Sequence, residues 1–437
     1  MENIGTLQVE KAEAQPHLLQ SFRVWAMIGL LSFGGPAAQI SLMHRVIVEE
    51  KKWLSEKQYL NALSFCMLLP GPEAMQLATY VGWRLHGVAG GLMAGLLFVI
   101  PGAIVVLSLA MIYAAFGQVP IIETLFFGIK AAVLVIVIEA LLRVSRKALH
   151  SKEHWLIAGV SFVAIFFLGL PFPVIVLMAA LYGFVRLSQE NTDDDPVAAR
   201  PKLSRTLRTT LLWSAIWLVP IIALSNATGS NQILSDLGWF FSKLAVVTFG
   251  GAYAVLAYMG QDVVVTNGWL NAGQMMDGLG LAETTPGPLI LVTEFVGYLS
   301  AYQHDNGNSF VMGLMGAMVA LWATFAPCFM WIFAGAPYIE WINSQPRLKG
   351  ALSGITAAVV GVILNLSVWF AVHVFFEEVA LEQRGILQLW VPDLASLDWS
   401  VVIVSLISGV LLLRLHWKIP TVLCMAAATA FILKSIY

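Results

Sequence analysis

The sequence predicts an all-α polytopic membrane protein, with about thirteen transmembrane segments (6+1+6) forming an inverted-topology repeat with broken helices. Three observations predict it. Of 437 residues, 59% are hydrophobic and 11% charged, less than half the charge of a soluble domain, where about 25% is usual; the mean hydropathy is +0.80. Apolar runs near twenty residues recur from residue 21 onward, too many to be the core helices of a soluble fold. Short motifs also return at a fixed distance along the chain. Lipid admits only helices or closed barrels, and runs this continuous are helical, unlike the alternating strands of a barrel.

Residues 1–20 form a polar, acidic tail with no basic, apolar and small-residue sequence of a cleavable signal, so none is expected. The first repeat, 21–187, contains apolar segments at 22–48, 59–83, 87–116, 121–142, 154–169 and 171–187. A charged linker follows at 188–209, then a single connecting segment at 210–226. The second repeat, 238–437, has segments at 238–262, 273–300, 309–335, 350–376, 399–413 and 416–434.

The repeat is legible as motifs. Phe33-Gly34-Gly35, Trp53-Leu54 and Pro70-Gly71-Pro72 return 216 residues later as Phe249-Gly250-Gly251, Trp269-Leu270 and Pro286-Gly287-Pro288. Gly128-Ile129 and Ala131-Ala132-Val133 return at offset 226 as Gly354-Ile355 and Ala357-Ala358-Val359. With the N-terminus in the cytoplasm and every segment crossing, sixteen Lys and Arg lie inside and six outside, as the positive-inside rule requires. The lone segment 210–226 then delivers the second half upside down, the arrangement of many secondary transporters. Either Gly-Gly segment could re-enter instead of crossing.

The two Pro-Gly-Pro motifs break apolar segments at mid-length. Pro72 suits a first helical turn and Gly71 the position before it, so each break starts a half-helix whose first amides carry about +0.5 charge. Such amides suit an anion in a membrane. Candidate ligand-contacting positions are therefore Gly34, Gly35, Pro70, Gly71, Pro72, Glu73, Gln76, Gly250, Gly251, Pro286, Gly287 and Pro288, with Lys130 deep in its segment. Kinks that ease helix packing are the competing explanation. Glu73, Glu283 and Glu294 stand near the breaks as proton-coupling candidates, with Asp277 close by. Glu139, four residues before Arg143, reads as a helical ion pair.

The stretches SFGGPAAQI, KKWLS and LLPGPEAMQLATYVGWRLHG, then VTFGGAYAVL and AETTPGPLILVTEFVGYL, resemble the two domains of the long members of the chromate ion transporter family. That resemblance implies a carrier in the bacterial inner membrane that exports chromate, with sulfate as a related oxyanion, in alternating access driven by the membrane potential or proton motive force. Three positions depart from the family pattern: Gln39 stands where histidine is frequent, Glu73 where small residues are common, and Glu283 where glutamine is usual.

Other classes fit less well. There is no phosphate-binding loop for ATP. His150-Ser151-Lys152-Glu153-His154 matches a zinc-peptidase pattern but lies in a basic loop, so neither enzyme activity, metal nor cofactor is expected. Cys66, Cys328 and Cys424 are isolated and read as membrane packing. No nucleic-acid partner is implied, and a homo-oligomer is compatible. An anion channel, or a carrier of another anion, would share these features.

Overall fold

The computed structural model describes residues 16–436 apart from 34, 118, 188–202, 226–231, 248, 250–255, 257, 261, 305–308, 340–344 and 386. Gly34, Gly250 and Gly251 thus lie outside the described residues. The chain is mostly helical. The first half holds α1 (Leu18–Leu31), α2 (Gly35–His44) continued by a π-turn (Arg45–Glu50), and α3 (Glu56–Leu68). Helix Glu73–Phe116 doubles back at His86 (φ −137°, ψ 23°) and Gly87 (φ 63°, ψ −153°). It is two helices, α4 (73–85) and α5 (88–116). Then come α6 (Pro120–Ala148), α7 (Lys152–Phe166), α8 (Phe172–Arg186) and the connecting α9 (Leu203–Leu224). The second half holds α10 (Gln232–Val247), α11 (Ala272–Thr284), α12 (Val292–Tyr302), α13 (Phe310–Gly335) and α14 (Pro346–Phe375). An antiparallel β-hairpin, β1 (Val379–Arg384) with β2 (Leu387–Pro392), precedes α15 (Trp399–Gly409) and α16 (Ile419–Ile436).

The repeat is built into local structure. Helices α3 and α11 each begin with a capping box, Ser55 with Gln58 and Asn271 with Gln274, and each ends just before a Pro-Gly-Pro break. Both long helices that follow carry an internal proline, Pro101 and Pro327, at the offset of 226 seen further along the chain. The Gly128 and Gly354 motifs serve as crossing points between the halves. A Cβ on Gly128 would lie 2.5 Å from the Ala426 carbonyl oxygen on α16, and one on Gly354 2.3 Å from that of Ala179 on α8. Each half therefore packs a long helix against the other half's last helices.

Among the described residues five helices are long and apolar enough to cross a membrane, but three of the thirteen expected crossings do not run straight through. The segment 273–300 turns back at its break. Gln303, just after α12, donates to the Trp269 carbonyl (2.6 Å), and Gln274 on α11 donates to Gln303 (3.2 Å). A straight helix broken at residue 287 would separate those residues by roughly 40 Å. Segment 59–83 turns back likewise, with the Phe65 and Tyr80 rings 6.3 Å apart across Pro70-Gly71-Pro72. Helix α1 runs beside α5, its Gly29 packed against the Leu97 carbonyl, with Ser21 bonding His86 just before α5 (2.8 Å). The end of α2 then returns to the start of α3, where His44 meets Glu56 at 2.7 Å. In the second half, the Phe240 ring of α10 is 5.3 Å from that of Trp269. The sequence placed breaks where they occur; the structure shows that the chain reverses there.

The frame for these hairpins is α5 and α13, which pack antiparallel. A Cβ on Gly91 would meet Phe333, and one on Gly95 would meet Phe329, each at 2.6 Å. The first hairpins have their bases at the start of α5, near His86. The α11–α12 hairpin has its base at the far end, where Tyr113 of α5 bonds Asp277 at 2.7 Å.

Candidate functional site

The hairpin tips meet beside the middle of the two long helices, and each tip leans on the helix of the other half. At the first, Gly71 has φ +120°, and a Cβ there would lie 2.9 Å from Cys328 Sγ and 2.8 Å from Gln76 Nε2. At the second, Gly287 has φ +91°, and a Cβ would lie 3.2 Å from the Cα of Gly102. Gly102 is itself tight, since a Cβ there would fall 2.2 Å from the Pro286 carbonyl oxygen. Both central glycines have positive φ, a conformation that glycine adopts without steric cost. Gly102 and Cys328 stand 226 residues apart, right after the paired prolines, so the two contacts are repeat counterparts. Because Gly95 faces Phe329, the tips are offset by roughly 9 Å along α5.

Hydrogen bonds fix each tip. The Gly287 amide donates to the Ser32 carbonyl at 2.8 Å. Gln39 Nε2 donates to the Gly287 carbonyl at 2.6 Å and reaches the Ser32 carbonyl at 3.3 Å. The bend after α1 thus touches the second Pro-Gly-Pro directly. At the first tip, Gln76 Nε2 donates to the Pro70 carbonyl at 2.7 Å, while its Oε1 is buried without a hydrogen-bond partner. Pro72 precedes α4 without side-chain capping, and the first helical hydrogen bond runs from the Gln76 amide to the Pro72 carbonyl. The amides of Glu73, Ala74 and Met75 are left without helical partners, with Ala74 and Met75 buried. The second tip differs. Leu289–Leu291 form a 3₁₀ turn before α12, closed from the Leu291 amide to the Pro288 carbonyl. Of the expected donor amides, that of Gly287 is therefore occupied by Ser32.

The remaining candidates divide. Glu73 opens α4 beside Pro72 and is half-buried. Glu283 is buried in the last turn of α11. Glu294 is 1% exposed, and its Oε2 has no hydrogen-bond partner. Gly35 begins α2 with φ +77°. Lys130 is not at the tips: its ammonium lies 3.4 Å from Asp277 Oδ2, at the base of the second hairpin, and its counterpart Thr356 bonds its own helix at the Leu352 carbonyl. Glu139 and Arg143 form the expected pair (2.6 Å). His154 of the zinc-like motif bonds Ser353 at 2.9 Å, tying α7 to α14, and no group of three metal-ligating side chains occurs among the described residues. Sequence reading passed over Ser32, Gly102, Tyr113 and the role of Cys328. The Pro101-Gly102 and Pro327-Cys328 pairing at offset 226 was the available signal.

Paired hairpins braced by exchanged contacts within a frame of long apolar helices define a helical membrane protein of two matched halves. The chain belongs to the chromate transporter family, which it matches over residues 19–184 and 235–432, two regions whose starts are again 216 apart. It is 32% identical to a chromate transport protein of Cupriavidus metallidurans over 79% of this chain and 80% of that one. It is also 32% identical to a chromate transport protein of Pseudomonas aeruginosa, over 79% of each. An uncharacterized transporter of Bacillus subtilis is 30% identical over 37% of this chain but 93% of its own length, the size of a single half. No solved structure matches significantly.

Proposed function

We propose that this protein is a secondary carrier that exports chromate, and related tetrahedral oxyanions such as sulfate, across the bacterial inner membrane by alternating access. The observation that carries the proposal is the meeting of hairpins from opposite ends of antiparallel α5 and α13, each tip seated on the other half's long helix. Two halves related in this way form an inverted-topology repeat, and rocking one against the other exposes a shared site to alternate faces. The site lies at Pro70, Gly71, Pro72, Glu73 and Gln76, with Gly35, Pro286, Gly287 and Pro288 opposite. The uncapped first turn of α4 supplies donors and positive potential for the dianion. The family membership supports the substrate class.

In this reading four hairpins and nine crossing helices replace thirteen crossings, and the N-terminus stays cytoplasmic. Arg45, Lys51, Lys52 and Lys57 then move inside with the hairpin bases, leaving only Arg384 and Lys434 outside, a stronger charge bias than thirteen crossings give. Energetically, a dianion leaving a negative interior gains about 4.6 kcal/mol per 100 mV, enough for roughly a 2,000-fold gradient at 1.4 kcal/mol per tenfold. Proton exchange is permitted, and Glu294 is the best placed of the three candidate carboxylates to carry it, being buried without a partner. Flux into proteoliposomes under imposed voltage and pH gradients, comparing chromate with sulfate, tests the proposal. Saturable, voltage-responsive chromate flux with counterflow is expected. Flux that neither saturates nor supports counterflow makes the protein a channel.

A further inference from the structure

A cavity of about 460 Å³ opens at the base of the second hairpin, lined by Lys130, Asn271, Gly273, His373, Glu377 and Asp398 among others. It is separate from the tips, because Asp277 precedes Pro286 by nine residues, roughly 13 Å along a helix. Lys130 reaches Asp277 at 3.4 Å, and the same carboxylate oxygen accepts the Tyr113 hydroxyl at 2.7 Å. The Asp277 side chain is 4% exposed and that of Lys130 28%, so it is the lysine that faces the cavity. Strong charge-assisted hydrogen bonds run at about 2.7–2.9 Å; Lys130 is held more loosely than that, by an oxygen it shares. The first turn of α11 adds partial positive charge at the same point, with Gly273 so close that a Cβ there would lie 3.2 Å from Lys130 Nζ. Opposite stand Glu377 and Asp398, the latter engaged by the amides of Ser400 and Val401. The cavity thus sets one loosely held ammonium and a helix N-terminus against two carboxylates.

We propose that this cavity is a second, transient oxyanion site, in which a tetrahedral dianion takes the Lys130 ammonium from Asp277 as it passes between the tips and the β-hairpin face. This rests on the reading of the chain as an oxyanion carrier. The exchange also loosens α11 from α6 while Tyr113 still holds it to α5, so that occupancy of the cavity eases one of the two ties at the hairpin base. Asp277 and the dianion compete for one cation, and removing either member of the pair therefore acts in opposite directions. A purely structural pair would make both removals harmful alike.

Equilibrium dialysis of radiolabelled chromate against the full-length protein in nanodiscs separates these outcomes. Wild type is expected to show two classes of site. Lys130→Gln loses the weaker class, whereas Asp277→Asn tightens it about tenfold, and the tighter class persists in both. The double variant, which leaves no buried unpaired charge, behaves as Lys130→Gln. A tight class with no weaker one, equal weakening by both substitutions, or a double variant that binds like Asp277→Asn overturns the cavity site alone. Absence of any chromate binding in wild type overturns the carrier reading together with it.

Discussion

The first Pro-Gly-Pro hairpin and the second share a scaffold and differ in chemistry. Both start from a capping box, both place a positive-φ glycine at the tip, and both seat that glycine on the opposite long helix. Beyond that they part. The first passes directly into a helix with Glu73 at its start and Gln76 bonded back to Pro70. The second begins with a 3₁₀ turn, is braced by Ser32 and Gln39, buries Glu294 and is latched at its base by Lys130 and Asp277. The two backbones are equivalent and their surroundings are not: one tip keeps uncapped amides, while the other is braced by Ser32 and Gln39 and leads into the helix that buries Glu294.

The largest expected effect comes from breaking what the hairpins share. Gly102→Leu pushes side-chain atoms into the Pro286 carbonyl, where even a Cβ would lie 2.2 Å away. Overpacking of this kind typically costs 1–3 kcal/mol, and here it displaces the second tip, so chromate flux should be lost. Yield by size-exclusion chromatography reports folding, and proteoliposome flux reports transport. Retention of normal flux would mean the tip contact is dispensable.

Next in size is a contrast between two glycines. Gly71→Ala meets both backbone strain and the Cys328 sulfur, whereas Gly87→Ala, also at positive φ, has nothing within 4 Å. Strain alone costs about 1–3 kcal/mol. Gly87→Ala should thus lower thermal stability while keeping transport, and Gly71→Ala should abolish transport. Adding Cys328→Ala to Gly71→Ala should restore part of the flux; no recovery would show that the sulfur contact is not what limits the tip.

Much of this was legible in advance. Hydrophobic runs identify the membrane helices, and repeated Pro-Gly-Pro locates the breaks. The direction taken after a break was not legible, because an apolar segment such as 59–83 or 273–300 serves equally well for one kinked crossing or a hairpin of two short helices. Only distant partners such as Gln303 and Trp269 decide between them. One local sign existed: Arg45, Lys51, Lys52 and Lys57 crowd a stretch of thirteen residues, which a straight crossing puts on the wrong side for the charge rule. The Lys130–Asp277 pair was illegible because its members lie 147 residues apart in sequence, in segments whose packing the repeat does not specify.

A subtler effect sharpens the chemical difference between the hairpins. Glu294→Gln keeps shape and removes the ionisable group, and it should flatten the dependence of flux on an imposed pH gradient while leaving voltage-driven flux in place. Glu73→Gln should change the pH dependence of chromate affinity and leave the response to a pH gradient intact. Identical profiles for the two variants would return the carboxylates to equivalent roles. The smallest effect should fall on the shared caps. Ser55→Ala and Asn271→Ala each remove one capping side chain, worth about 1 kcal/mol, and should lower thermal stability by similar amounts; a much larger loss at one of them would reveal a further asymmetry.

The reversal of the chain at both Pro-Gly-Pro motifs, from opposite faces, is tested most directly by labelling single cysteines with an impermeant reagent in sealed vesicles, after Cys66, Cys328 and Cys424 are replaced. Cysteines at Lys57 and Val88 flank the first hairpin, and cysteines at Asn267 and His304 flank the second. Lys57 and Val88 are expected to react from one and the same face, and Asn267 and His304 both from the other. Reaction of Lys57 and Val88 from opposite faces would show that the chain crosses straight through the break and would contradict the account.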